Sequence, residues 1–418
     1  MAQVSVKKQV YMRVATFVLS FVCVAFSASA NSDIPNSSDQ QQESNDTVLA
    51  VVCKGGKYGV INSKGEVVVP FIYSEMRNYS EGLAYAKDNN FVYFIDRKGE
   101  KILTCRGYFG DLHDGMIKVS KGGKYGFMNL AGKVVVPFKY DEADNFSEGM
   151  ASVRIGDKCG FVDTSGKEVI PCIYDSFYKE GDMFWNWGLK MDFHEGLAIV
   201  KKGDYYGAVN KRGEVIVPIK YEQVNDFREG MAKVVENGKA GYVNNLGTLV
   251  IPTMYRNGNG KLKDFHEGLV SVVKSVGNTF VCEYKNKRGE TVFSLPNGKF
   301  GFEFHEGIAV VGEIVKDGFV NSHGSMVTRI EYSSVSHFSE GLARVTVMDA
   351  NFHEKSGFID KSGTRVIPCQ FADKPKDFHN GLAGVNVNGK WGFIDKNGKV
   401  VIPCVYDNIN DFDIVNKW

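Results

Sequence analysis

The sequence predicts an all-β protein made of about ten tandem three-stranded antiparallel β-meanders of ~34 residues, stacked as an open twisted array rather than closed into one or more β-propellers. Three observations carry this prediction. A glycine marker recurs along the chain at roughly constant spacing. A second glycine follows it by six residues in every unit, and short apolar runs alternate with turn residues throughout.

The unit is clearest near the end of the chain. Residues 382–387, Leu-Ala-Gly-Val-Asn-Val, form a first apolar run, and Asn388-Gly389 follows as a turn signal. Residues 391–395 and 400–402 are two further runs around Lys396-Asn397-Gly398-Lys399, where Asn-Gly supplies the positive φ angles of a tight hairpin. Pro403 suits the end of a third strand, because proline cannot donate to a ladder. Three strands of this length are marginal alone and need stacked neighbours.

With Gly392 as the marker, equivalent positions are Gly59, Tyr93, Gly126, Gly160, Gly207, Gly241, Glu283, Gly318 and Gly357, at spacings of 34, 33, 34, 47, 34, 42, 35, 39 and 35 residues. Such a period signals a solenoid, propeller or array. The hairpin glycine recurs at 65, 99, 132, 166, 213, 247, 289, 324, 363 and 398, as expected where a turn needs φ > 0. A motif of aromatic, any residue, Glu, Gly precedes the first strand, as in Phe146-Ser147-Glu148-Gly149 and Phe265-His266-Glu267-Gly268. Residues 280–330 hold the weakest copies, with Glu283 and Asp317-Gly318 replacing the aromatic pair.

The run Lys390-Trp391-Gly392-Phe393-Ile394-Asp395 and its sisters resemble the bacterial WG-repeat (KWG-repeat) proteins, over residues 48 to about 412. Tyr58-Gly59, Tyr125-Gly126, Tyr206-Gly207 and Trp391-Gly392 are the structural repeat motif. Elsewhere Cys159, Ala240 and Ser356 replace the ring, which implies thinner local packing. The family is defined by its repeat, so the resemblance implies no enzymatic activity.

The first thirty residues stand apart. Lys7, Lys8 and Arg13 precede an apolar stretch at 14–26, and Ala28-Ser29-Ala30 is a small-residue cleavage site, so residues 1–30 read as a secretory signal peptide. The apolar stretch is too short for a membrane span. Residues 31–46 read as a flexible polar linker, 47–412 as the array and 413–418 as a C-terminal tail. The expected location is therefore outside the cytoplasm: periplasm, cell surface or secreted.

Fifty basic against 49 acidic residues give no footprint for nucleic acid or an anionic membrane. The first unit begins directly with its first strand at residue 48, with no strand shared between the termini, and ten units exceed the usual propeller count. Both points favour the open array.

His194, His266 and His305 in the aromatic-x-Glu-Gly motif invite a metal reading, but Ser147, Arg228 and Ser339 occupy the same position in sister units. They are read as turn residues, with the Glu accepting backbone hydrogen bonds, and no metal or cofactor is expected. No HExxH, GxSxG, Walker or GxGxxG pattern is present, so the chain is not expected to be an enzyme. Cys172, Cys369 and Cys404 follow the strand prolines, and Cys369 and Cys404 would bridge only if stacking brought their Cα atoms within roughly 7 Å. Between Gly160 and Gly207, 13 extra residues bring Phe184, Trp185 and Trp187. These aromatics would stack on a sugar, anchor a protein, or fold back as a cap. The expected function is an exported, non-catalytic binding or scaffold module for a protein or envelope component. The alternative is a carbohydrate or cell-wall binder using the insertion's aromatics.

Overall fold

The computed structural model describes residues 24–25, 48–177, 191–257, 263–313 and 315–415. Ten small antiparallel sheets follow one another as the blades of a propeller-like ring. The fourth blade shows the complete pattern: Glu142–Ala143, Met150–Ile155, Lys158–Asp163 and Glu168–Asp175, paired in chain order. Nine of the ten expected meanders are complete, and in most blades a short leading strand precedes the meander. The eighth blade keeps Phe300–His305, Ile308–Gly312 and Asp317–Asn321. Its third strand is reduced to the bridges Val320–Met326 and Asp317–Tyr332, which matches its weak copy of the repeat.

The ring is closed, which corrects the expectation of an open array. The first blade, Val48–Lys54, Lys57–Asn62 and Val67–Tyr73, has no leading strand of its own. The end of the chain supplies it: Asn408–Ile409 pairs with Val52 and Cys53, and Asp413–Ile414 pairs with Val48 and Leu49. Residues 413–415, read as the start of a tail, are thus part of the ring, and Val415 is buried. The sharing was invisible because two-residue strands carry no periodic signal.

One aromatic pair is repeated at the joints. The residue after the marker glycine meets the motif aromatic of the next blade, as in Phe127–Phe146 (4.7 Å), Phe161–Phe193 (5.0 Å), Tyr242–Phe265 (5.5 Å) and Phe358–Phe378 (4.9 Å). Phe393–Phe412 (4.7 Å) repeats it at the seam, so Phe412 serves the first blade as Phe146 serves the fourth. These rings are almost wholly buried and supply the main apolar contact between neighbours.

The marker glycine and the strand proline explain each other. The proline does not end the third strand, as expected from sequence, but lies inside it, at a bulge. In the first blade Tyr58 pairs with Tyr73 and Val60 with Val69, so the third strand carries extra residues around Pro70. A Cβ on Gly59 would lie 2.5 Å from the Val69 carbonyl oxygen, so only glycine fits opposite the bulge. The two units without the glycine, at Tyr93 and Glu283, also lack the proline, and at that position the strands pair without the bulge, as Tyr93–Thr104 and Glu283–Ser294.

The turn chemistry also differs from expectation. At the second hairpin Gly398 has φ 81° while Asn397 is not left-handed, and Asp395 Oδ1 accepts from the N–H groups of Asn397 and Lys399. This is a type I turn closed by a glycine bulge. The two-residue turn with both angles positive is the first hairpin, Asn388 (φ 54°) and Gly389 (φ 78°).

Val24–Ala25 lies antiparallel to Thr104 and Leu103 at the edge of the second blade. Among the described residues no helix is long and apolar enough to cross a membrane.

Candidate functional site

The face where blades converge is built from the aromatic-x-Glu-Gly turns. Each turn reverses the chain from the leading segment into the first strand, and its Glu adopts φ between 51° and 54° at positions 81, 148, 195, 229, 267, 306 and 340. A left-handed Glu is unfavourable by itself, so something must offset it. The offset is a strap between blades. Glu148 accepts from the N–H groups of Glu195 (2.6 Å) and Gly196 (2.8 Å), and Glu195 accepts from those of Glu229 and Gly230, both at 2.6 Å. Glu229 holds Glu267 and Gly268, and Glu267 holds Glu306 and Gly307. Glu306 then accepts from Gly341 N–H and Glu340 from Gly381 N–H. In the second and third blades, Glu81 holds Asp114 and Gly115, and Asp114 holds Gly149.

Eight consecutive links therefore run from the second blade to the tenth, and Asn380 Nδ2 donates to the Phe412 carbonyl to reach the closing segment. Lysines reinforce them: Lys211 on Glu148 (3.2 Å), Lys287 on Glu229 (3.0 Å), Lys361 on Glu306 (2.9 Å) and Lys396 on Glu340 (3.2 Å). Burial works to raise these four carboxyls, but the N–H groups and lysines outweigh it and hold them below the ordinary carboxylate range.

A second row of polar groups flanks the motif aromatic and escaped the sequence reading. The residue before that aromatic is acidic in most units, including Asp192, Asp226, Asp264, Glu303 and Asp411. Several of these meet a cation of the preceding segment: Arg228 with Asp264 at 3.3 Å, Lys263 with Glu303 at 3.2 Å, Lys376 with Asp411 at 3.6 Å. Burial raises the Asp226 and Asp264 carboxyls, and the neighbouring His194 and Arg228 pull the other way. The signal was available, because the acidic position recurs at the same offset from each aromatic.

The motif histidines divide. His194 faces Asp226 at 4.0 Å, whereas His266 and His305 meet as tilted rings 4.2 Å apart between centroids, and His337, not singled out from sequence, meets His305 in the same way at 4.2 Å. Where sister units carry serine, its Oγ donates to the next blade's aromatic carbonyl, as Ser147 to Phe193 (2.8 Å) and Ser339 to Phe378 (2.7 Å). Among the described residues no group of three or more His, Cys, Asp or Glu side chains is arranged to hold a metal ion.

The structural repeat motif lies within the packing. Tyr58, Tyr125, Tyr206 and Trp391 are partly buried against the cores between blades, with Trp391 at the seam of the tenth and first. Gly126, Gly207 and Gly392, like Gly59, sit opposite their bulges. Cys369 and Cys404 are free thiols, and each Sγ turns toward a carbonyl of its own blade, Val345 and Val385. Phe184, Trp185 and Trp187 lie outside the described residues. The positions flanking that insertion, Phe177 and Met191, are buried in one core with Phe193 and Val200.

Similar solved structures share little sequence with the chain. A eukaryotic initiation factor is 10% identical, with 76% of this chain and 94% of that one covered, at a TM-score of 0.45. Hsv2 from Kluyvelomyces marxianus is 9% identical over 75% of this chain and 94% of that one, at 0.32. TolB from Acinetobacter baumannii is 9% identical over 47% and 58%, at 0.26. No curated protein matches the chain in sequence. The WG containing repeat, by contrast, matches residues 58–90, 125–159, 160–181, 191–206, 206–239, 318–347, 357–391 and 391–413, more than half of the chain, and it is to this repeat family that the chain belongs.

Proposed function

We propose that the chain is an exported, non-catalytic ring that serves as a binding or scaffold module for a protein or envelope component, with the 13-residue insertion as its contact. The observation that carries this reading is how the conspicuous polar residues are used. The motif glutamates strap blades together, Lys124 and Lys158 pair with Asp141 and Asp175, and the hairpin Asn and Asp side chains close turns. Side chains that would suggest chemistry are engaged in construction. A rigid repeat scaffold presents function on the loops that break its period, and the insertion brings two of the four tryptophans between buried anchors at Phe177 and Met191.

The test compares the chain with its Trp185→Ala/Trp187→Ala variant on a glycan array and in pull-downs from envelope extract. Capture of a defined protein that the variant loses supports the reading. Glycan binding that the variant loses replaces it with carbohydrate recognition. A partner retained equally by both chains overturns the role of the insertion.

A further inference from the structure

His266, His305 and His337 come from three successive blades and form one continuous row of tilted rings, with centroids 4.2 Å apart at each step and interplanar angles of 30° and 38°. Two of these side chains present a buried ring nitrogen without a hydrogen-bond partner, Nδ1 of His266 and Nδ1 of His337. The row is next to the straps: His266 precedes Glu267, which holds Glu306 and Gly307, and His305 precedes Glu306, which holds Gly341 and Lys361. It also spans the least regular part of the ring. The seventh blade has only three strands, Leu269–Val276, Thr279–Asn286 and Thr291–Ser294, and the eighth lacks a regular third strand.

We propose that this histidine ladder is an acid-sensitive latch, which holds the seventh, eighth and ninth blades together near neutral pH and loosens their inner turns when it takes up protons. Neutral imidazoles pack against one another at this separation, whereas two imidazolium ions about 4 Å apart repel strongly in a partly desolvated site. The charged groups facing the ladder are mixed. Glu303, Glu267 and Asp377 favour the protonated rings, Lys263 disfavours them, and Lys263 and Glu303 already pair with each other at 3.2 Å. Burial, followed by the neighbouring histidines for His305, outweighs the carboxylates and holds both His305 and His337 below the ordinary imidazole range.

The sign follows from linkage. A histidine depressed in the folded state leaves the unfolded chain binding more protons, so stability is complete above the unfolded value of about 6.5 and declines as the pH falls toward the folded value. The Glu229, Glu306 and Glu340 straps stay ionised through this window, because these carboxyls are held below their ordinary range. The latch therefore releases before the straps do.

Sister blades suggest the control variant. Ser147 and Ser339 stand at the position of His266 and His305, and Asn78 and Asn145 at that of His337, so His266→Ser/His305→Ser/His337→Asn uses residues the fold already accepts. Hydrogen exchange is compared at pH 7.5 and pH 5.5 after correction for intrinsic rates. In the parent chain, segments 263–269, 302–308 and 336–342 should lose protection on acidification. Segment 145–150 should change little, and the triple variant should show no such acid response in any of the four. An equal response in parent and variant overturns the proposal, as does protection that is flat with pH in the parent. Should the triple variant fail to fold, His305→Gln removes the central titrating ring alone and must still blunt the response.

Discussion

The Asp407 carboxylate accepts a hydrogen bond from the Gly56 backbone N–H at 3.3 Å, although the two residues are 351 positions apart. Asp407 is also paired with Lys390 of the Lys-Trp-Gly run. The same arrangement joins consecutive blades elsewhere: Lys124 to Asp141 with Gly156 N–H at 2.9 Å, and Lys158 to Asp175 with Gly203 N–H at 2.6 Å. The last unit thus treats the first as its next neighbour. The lysine of the repeat is explained by the same contact, since it holds the carboxylate that caps the following blade's first turn.

Closure predicts where the seam is vulnerable. Phe412 is 1% exposed against Phe393, so Phe412→Ala should cost about 3–5 kcal/mol in urea unfolding. Val405, 42% exposed on the outer strand, should change stability by less than about 0.5 kcal/mol when replaced by Ala. Equal, small effects would mean that the C-terminal segment does not close the ring in solution.

The bulge predicts an asymmetry between glycines. Gly392→Ala places a Cβ 2.5 Å from the Ile402 carbonyl oxygen and should cost about 1–3 kcal/mol by overpacking. Gly115→Ala meets nothing within 4 Å and is penalised only by its φ of 69°, so its loss should be about 1 kcal/mol. Chemical denaturation of the two variants ranks them directly.

The straps predict a second acid transition, below that of the histidine ladder. Because Glu148, Glu229, Glu306 and Glu340 are held below the ordinary value, their contribution is complete above about pH 4.5 and is lost as the pH falls through the folded values. Glu229→Gln should flatten the stability profile there while leaving the profile between pH 5 and 7 unchanged. At neutral pH its cost should be about 1–2 kcal/mol, since the carboxylate is partly exposed and screened.

The thiols predict slow chemistry. Burial raises Cys159 to about 12 and Cys282 to about 11, and it also raises Cys53, Cys172, Cys369 and Cys404. Native protein should react sluggishly with thiol reagents at pH 7.5, and denatured protein should react fast at every cysteine. Alkylation without reduction followed by mass analysis should show Cys369 and Cys404 modified separately. An unreduced peptide pair joining them would contradict the structure.

Much of the site was legible because repetition makes structure visible within one chain. The hairpin glycines, the Glu-Gly turns and the Gly-Pro pair recur at fixed offsets, since each answers a local steric demand that most blades repeat. The acidic row at Asp226, Asp264 and Glu303 is equally periodic and lies beside the more conspicuous histidines. His337 could not be recognised in the same way, because it stands where sister units place Asn, Asp or Glu and joins the ladder only through its ring contact with a neighbouring blade.

The sequence by itself determined the number of units, the meander at the heart of each and the residues that turn the chain, but not the short leading strands, because the former depend on contacts within about 34 residues. Only the tertiary structure decided that the units close into a ring. Closure rests on Ile409 beside Val52, Phe412 against Phe393, and Asp407 at Gly56, contacts made by short segments without a periodic signal of their own. It depends on the small rotation between successive blades summing to a full turn, a property of packing geometry that no single repeat encodes.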